Sequence, residues 1–288
     1  MKIVLSPNPY RDKGLKAAQA AAKILSRANV ESVMCLPFDI DSRSRIELPK
    51  HLTFRDIKTE LPDAAMLVCF GGDGTILHAA KDANLLNVPV LGVNMGSVGF
   101  MAELEHGELS KLAKVAAGDY AIELRMMLDV TVHRDGKQVF QDVALNDAVV
   151  IKGAVGRVVE LEVHADHTPI SSFSGDGVII STPTGSTAYS MSAGGPIVEP
   201  TAENLIVTPI CPHALHAKSF ILGPDRLVSV SLDRRSHKTA YLSADGGRAF
   251  KLLTGDIVEM KKSSRQTRLV KLTGRSFYEL INQKLGEK

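Results

Sequence analysis

With 288 residues the chain is long enough for two domains, and its make-up (44% hydrophobic, 23% charged, no Trp) is that of a soluble globular protein. A formal net charge of +2 is too small to argue for nucleic acid, and no apolar run approaches the roughly 20 residues a membrane span needs. The three cysteines, Cys35, Cys69 and Cys211, are scattered and give neither a disulfide framework nor a zinc pattern, so a cytoplasmic setting is expected.

Elements in the first part alternate. Residues 2–5 read as a strand too short for a signal-peptide core, and residues 14–28 as an alanine-rich helix with an apolar stripe. Strands are expected at 32–36, 64–70 and 88–93, with a charged surface loop over 41–58 that holds Pro49. Apolar strands separated by helices predict a parallel sheet covered on both faces.

After Gly118-Asp119 the texture becomes β-rich, with strands expected at 127–134, 138–143, 148–151, 158–164, 227–232 and 257–260. Turn signals such as Asp135-Gly136 and Lys152-Gly153 separate several of them. A helix follows at 276–285. The expected division is an α/β domain over 1–120 and a mostly β, sandwich-like domain over 121–288, whose C-terminal helix is free to pack back on the first. Lys261, Lys262, Arg265, Arg268, Lys271 and Arg275 lie in a stretch without acids, either a solvated face or an anion patch.

The chemistry concentrates in three glycine-rich elements. Gly71-Gly72-Asp73-Gly74-Thr75 lies between an apolar strand and a helix start, an order that builds an anion site from bare backbone and unpaired N–H groups. A carboxylate in that nest suits a proton acceptor or a metal ligand; otherwise Asp73 is an N-cap. The second element, Gly92-Val93-Asn94-Met95-Gly96-Ser97-Val98-Gly99-Phe100, falls on the same sheet edge, as a crevice wall or a plain connection.

The third runs from Ser174-Gly175-Asp176-Gly177 through a short strand into Thr182-Pro183-Thr184-Gly185-Ser186-Thr187-Ala188-Tyr189-Ser190-Met191-Ser192-Ala193-Gly194-Gly195-Pro196. So many hydroxyls and glycines suit a loop lying against a bulky polar ligand, with Tyr189 as a stacking ring. Asn146-Asp147 interrupts a strand-like run, as a bulge or as an amide and carboxylate for a purine edge or ribose hydroxyls. Asp245-Gly246-Gly247 reads as an ordinary turn.

No GxxxxGK[ST] is present, and Leu77 stands where a dinucleotide fingerprint needs its last glycine. His133-Arg134-Asp135 lacks the rest of a protein-kinase catalytic loop, and Cys211, His213 and His216 do not complete a zinc set.

In this order the residues closely resemble the bacterial NAD kinases, from 71–75 through 92–100, Arg125-Met126-Met127-Leu128, Asn146-Asp147, Asp176-Gly177, 182–196, Thr208-Pro209-Ile210-Cys211-Pro212-His213 and Asp245-Gly246. The first motif is shared with lipid kinases, diacylglycerol kinases among them, and, more loosely, phosphofructokinases; the third is far more specific. The resemblance implies transfer of a phosphoryl group from ATP to the adenosine ribose 2′-hydroxyl of NAD, giving NADP. It also implies a divalent cation, Mg²⁺ by preference, and a homodimer or homotetramer.

Carried over by position, Asp73 is the general base and Gly74 with its loop holds phosphates. Asn146 and Asp147 contact the dinucleotide, Asp176, Ala188, Tyr189 and Ser192 line its pocket, and Arg157 lies near the cofactor phosphate. His78, Thr187, Ser190, Met191 and Gly247 complete the implied cofactor-binding set. Departures are His78 for a usual Arg, Ala217-Lys218-Ser219 for an Arg-Pro pair, Asp147 for the commoner Glu, and Gly247 for Gln. A lipid kinase and a non-catalytic NAD(P)-binding sensor are the competing readings; the absence of a lipid-binding amphipathic segment opposes the first and Asp73 the second.

Overall fold

A computed structural model describes residues 1–38, 40, 46–96, 99–154, 157–214, 217–232 and 239–286. The chain forms two compact units, Met1–Leu124 together with Thr267–Lys288, and Arg125–Gln266.

In the first unit the strands Val90–Asn94, Met66–Gly71, Lys2–Pro7, Glu31–Cys35 and Phe54–Arg55 lie side by side in that order, every neighbouring pair parallel. Leu104–Glu105 adds a short parallel strand beside Val90–Asn94. Met66–Gly71 is buried along its whole length, which is why its sequence runs apolar instead of alternating. The helix Lys16–Arg27 buries Ala17, Ala18, Ala21 and Leu25, small residues that let it approach the sheet closely. Its first turn is held by the buried Asp12, whose carboxylate accepts the N–H groups of Ala17 and Ala18 at 3.0 Å each.

Chain order reverses direction beside Lys2–Pro7: the next two strands extend to one side, and Met66–Gly71 with Val90–Asn94 to the other. A doubly wound sheet opens a crevice at that point, beyond the carboxyl ends of the strands.

The second unit is antiparallel. One sheet has the order Phe220–Leu222, Leu205–Ile210, Gly177–Ser181, Asp147–Lys152, Ala240–Ala244, Phe250–Leu252. The other runs Thr168–Gly175, Val159–Ala165, Val228–Leu232 and the start of Ile257–Lys271, to which the Ala121–Arg134 and Lys137–Ala144 hairpin is joined. Leu128, Val130, Val150, Val163, Ile180, Val207, Val230 and Leu242 share one apolar core, the filling of a sandwich.

Two expectations need adjustment. The second unit ends at residue 266, not 288, because Val270 and Leu272 are buried in the core of the first unit. There Glu103, itself 3% exposed, accepts the N–H groups of Leu272 and Thr273 and pairs with Lys271. Of the loop expected over 41–58, residues 41–45 lie outside the described set. The remainder holds the strand Phe54–Arg55 and the start of the helix Ile57–Glu60, which Asp56 caps through the N–H of Lys58.

The basic stretch divides: Lys262 pairs with Glu203, Lys271 with Glu103 and Arg275 with Glu108. These three therefore offer less free charge than their spacing suggests.

Candidate active site

Strand Met66–Gly71 ends at a glycine whose missing side chain makes room for Thr75; a Cβ at Gly71 would overlap the Thr75 hydroxyl. The chain then turns directly into the 13-residue helix Asp73–Leu85, with Gly72 as its N-cap. Asp73 is thus the first helical residue and not the cap. Its carboxylate leaves its own helix and accepts the N–H of Phe100 at 2.8 Å through Oδ2 and that of Met101 at 3.1 Å through Oδ1. The end of the 92–100 loop is therefore tied to Asp73, and the two glycine elements form one structure.

A cavity of about 270 Å³ opens there, lined by Arg11, Gly72, Asp73, Gly74, Gly96, Gly99 and Lys284. It sits where the strand order reverses, with Arg11 arriving from the end of Lys2–Pro7. Arg11 is held by its N–H to the carbonyl of Asn8, and the Asn8 side chain donates to Thr75 Oγ1 at 3.0 Å. First-turn N–H groups of the helix lack intrahelical acceptors, so bare amides and two cations face the same space as Asp73. That combination suits a phosphate chain. His78 is exposed one turn further along the helix and is not among the lining residues.

In the second unit Asn146 and Asp147 sit at the junction of the Lys137–Ala144 and Asp147–Lys152 strands. Asp245, at φ +50°, aims its carboxylate at the junction and accepts three N–H groups: Leu145 at 2.7 Å, Asn146 at 2.8 Å and Asp147 at 3.1 Å. Asp147 is buried, and burial together with the Asp245 charge pushes its carboxyl up to about 7. Ser181 pairs with Asp147 across the sheet, and its buried hydroxyl has no partner among the described residues. An amide and a carboxyl that titrates near neutrality therefore stand together on one sheet end.

The 182–196 loop is more structural than its composition suggests. Thr182 Oγ1 donates to the carbonyl of Leu145, Ser186 donates to that of Pro183 and accepts the N–H of Val198, Thr187 donates to the carbonyl of Thr184, and Ser190 shares a hydrogen bond with Thr208. Thr184 accepts from Arg125. A Cβ at Gly185 would overlap the Asn146 carbonyl, so the glycine seats the loop against the site. Around the helical turn Tyr189–Ser192, Tyr189 is 40% exposed and Ser192 is also exposed, while Ala188 and Met191 are half-buried.

The residues of this element and Asn146-Asp147 are brought together. Asp176 pairs instead with Lys152 at 2.6 Å, Arg157 is exposed, and Gly247 is exposed beside Asp245-Gly246 with its carbonyl accepting from Ser243.

Residues 4–120 match the ATP-NAD kinase N-terminal domain and residues 145–272 the ATP-NAD kinase C-terminal domain. The chain belongs to the NAD kinase family.

Among relatives named NAD kinase, that of Natranaerobius thermophilus is 39% identical, the match covering 98% of this chain and 97% of the relative. That of Acetivibrio thermocellus is 35% identical over 100% of this chain and 98% of its own. Among solved structures, yeast NADH kinase complexed with NADH superposes with a TM-score of 0.85 at 25% identity, covering 99% of this chain and 87% of its own. An Archaeoglobus fulgidus NAD kinase in complex with ATP superposes at 0.74 and 23% identity over 99% and 98%, a likeness of fold.

Against this NAD kinase family pattern the structure adds a role for Asp245, which the resemblance included, and two residues, Arg11 and Lys284, that it did not. Asp245 looks like an ordinary turn residue until the fold places it under Asn146. Arg11 and Lys284 carry no motif; only the return of residues 267–288 to the first unit brings Lys284 to the cavity. Among the described residues no cluster of three or more His, Cys, Asp or Glu side chains could cage a metal ion, and no helix is long and apolar enough to cross a membrane.

Proposed function

We propose that the chain phosphorylates NAD to NADP, taking the γ-phosphoryl group of ATP onto the adenosine ribose 2′-hydroxyl. Family membership supports the overall reaction, and the Asp73 cavity supports the roles within it. The 2′-oxygen bonds to the γ-phosphorus as the bond to the β,γ-bridging oxygen breaks, and the hydroxyl proton passes to Asp73, leaving ADP and NADP. Such a transition state is loose, so the protein contributes mainly position and charge. The two N–H bonds from Phe100 and Met101 fix the carboxylate while leaving each oxygen a further lone pair.

A magnesium ion fits this donor set as one carried on the phosphates, since Mg²⁺ keeps much of its water and needs few protein oxygens. Asp73 is the carboxylate that lines the cavity and would hold it; the ion's contribution is to neutralise phosphate charge. Gly74 and the helix N-terminus bind phosphate oxygens. Asn146 and Asp147 hold the dinucleotide's ribose or base edge, with Ala188, Tyr189, Met191 and Ser192 offering surface for it. Thr187 and Ser190 act by holding the loop's shape, while Asp176, His78, Arg157 and Gly247 are assigned to the periphery of nucleotide binding. The resemblance supports assembly as a homodimer or homotetramer, and the scattered cysteines support a cytoplasmic setting.

The carrying observation is Asp73 at a helix start, fixed by two amides, in a cavity that two cations share. The test is purified chain with NAD, ATP and Mg²⁺, with NADP read by an NADP-specific dehydrogenase. NADP formation that requires ATP supports the reading. No NADP with ATP overturns the donor assignment, and none with polyphosphate either overturns the kinase reading.

A further inference from the structure

We infer that Lys284, on the helix Phe277–Leu285, binds the phosphate chain of the phosphoryl donor in the Asp73 cavity. The inference rests on the kinase reading of that cavity and adds a residue to it that no motif marks. Three observations converge on the side chain. It lines the same 270 Å³ space as Asp73, Gly74 and Arg11. Its Nζ lies 4.0 Å from the centre of the Phe100 ring, the residue whose N–H donates to Asp73 Oδ2 at 2.8 Å. It forms no ion pair with an acid among the described residues, in contrast to Lys271 and Arg275 just before it.

The electrostatics favour an anion. Arg11 and Lys284 against Asp73 leave the lining with one positive charge in excess, to which the helix N-terminus adds a partial one. A triphosphate with several negative charges needs that and more. A lysine is a compact charge on a flexible stem, able to move from the ring to a phosphate and follow it from ground state to transition state.

Lys284 thus joins a ring contact to a place in the lining of a glycine-lined cavity. The helix is also well anchored for the purpose. Ser276 and Glu279 form a reciprocal cap, Leu280 is buried, and Arg275 is fixed to Glu108. Lys284 is therefore presented by a fixed element and not by a loose tail.

The test uses the full chain as wild type, Lys284→Met and Lys284→Arg. Steady-state NADP formation is measured with ATP and NAD varied in turn, and inorganic tripolyphosphate binding by calorimetry without NAD. Lys284→Met is expected to raise KM for ATP or lower kcat/KM for ATP by about tenfold to a hundredfold, with KM for NAD within about twofold. It should weaken tripolyphosphate about tenfold, and Lys284→Arg should recover most of both losses.

Unchanged ATP parameters and tripolyphosphate affinity in Lys284→Met would overturn the assignment. So would equal losses in Met and Arg variants accompanied by a lower melting temperature, the mark of a packing role. If wild type makes no NADP from ATP or from polyphosphate, the kinase reading fails by itself, and the calorimetric comparison still decides whether Lys284 binds phosphate.

Discussion

The carboxylate of Asp73 occupies the space that a side chain on Gly99 would need: a Cβ there would overlap Oδ1. Glycine at 99 is thus a condition for Asp73 to sit against the amides of Phe100 and Met101. Gly99→Ala should displace the carboxylate and lower turnover by roughly 10- to 100-fold while the melting temperature stays within a few degrees, because Gly99 itself belongs to neither core. Turnover within twofold of wild type would show that the contact does not position Asp73.

Asp73→Asn retains shape and an acceptor oxygen but loses the charge and the proton acceptor. Turnover should fall about 10²–10⁴-fold with NAD affinity nearly unchanged. The comparison needs kcat from the coupled assay and NAD binding by calorimetry; a loss below tenfold would defeat the general-base role.

Asp147 makes stability fall with pH. Its folded-state carboxyl stands at about 7 against the usual 3.8, raised by burial and by Asp245, so the folded chain holds a proton that the unfolded chain has released. Stability from this group is full below about pH 4, declines between 4 and 7, and levels off above. Asp147→Asn removes the dependence, and the variant should gain roughly 2–4 kcal/mol relative to wild type between pH 5 and pH 8. Urea titrations at the two pH values measure the gap; a constant gap would contradict the buried, raised carboxyl.

Gly185→Ala tests the seating of the hydroxyl-rich loop. Its new methyl would meet the Asn146 backbone, which has no flexible end to move aside. A loss of roughly 1–3 kcal/mol is expected, together with weaker NAD binding as Asn146 shifts. Normal NAD affinity in a destabilised variant would separate the loop from the ligand.

Chelation supplies the last test. With Mg²⁺ withdrawn by excess chelator, NADP formation should fall by about a hundredfold or more, since the phosphates would then face each other's charge with the cavity's Arg11, Lys284 and backbone dipoles to offset it. Undiminished rates would remove the cation from the scheme.

Much of the fold was legible because burial writes itself into composition. Met66–Gly71 is covered on both faces and reads as an unbroken apolar run, and Val228–Leu232 in the second unit alternates as a half-covered strand does. Element ends were less legible. The first helix starts at Lys16 and not at 14, because Gly14 and Leu15 take left-handed backbone angles that no periodicity reveals.

At the site, the glycine turns announce themselves, since close approach demands glycine. The hydroxyls mislead. Thr182, Ser186 and Ser190 look like ligand donors in a string of letters, yet each has a protein partner supplied by an element distant in sequence or by the next turn. Asp245 misleads in the opposite direction. A carboxylate that caps three amides about a hundred residues away leaves no local trace.

The placement of residues 267–288 in the first unit bears on synthesis as well as on chemistry. Arg125–Gln266 is continuous, so a growing chain can complete it while the earlier-made unit still lacks Val270, Leu272 and the helix that carries Lys284. The N-terminal half thus emerges first and matures last, and a nascent chain halted before residue 267 would hold a finished sandwich beside an unclosed sheet.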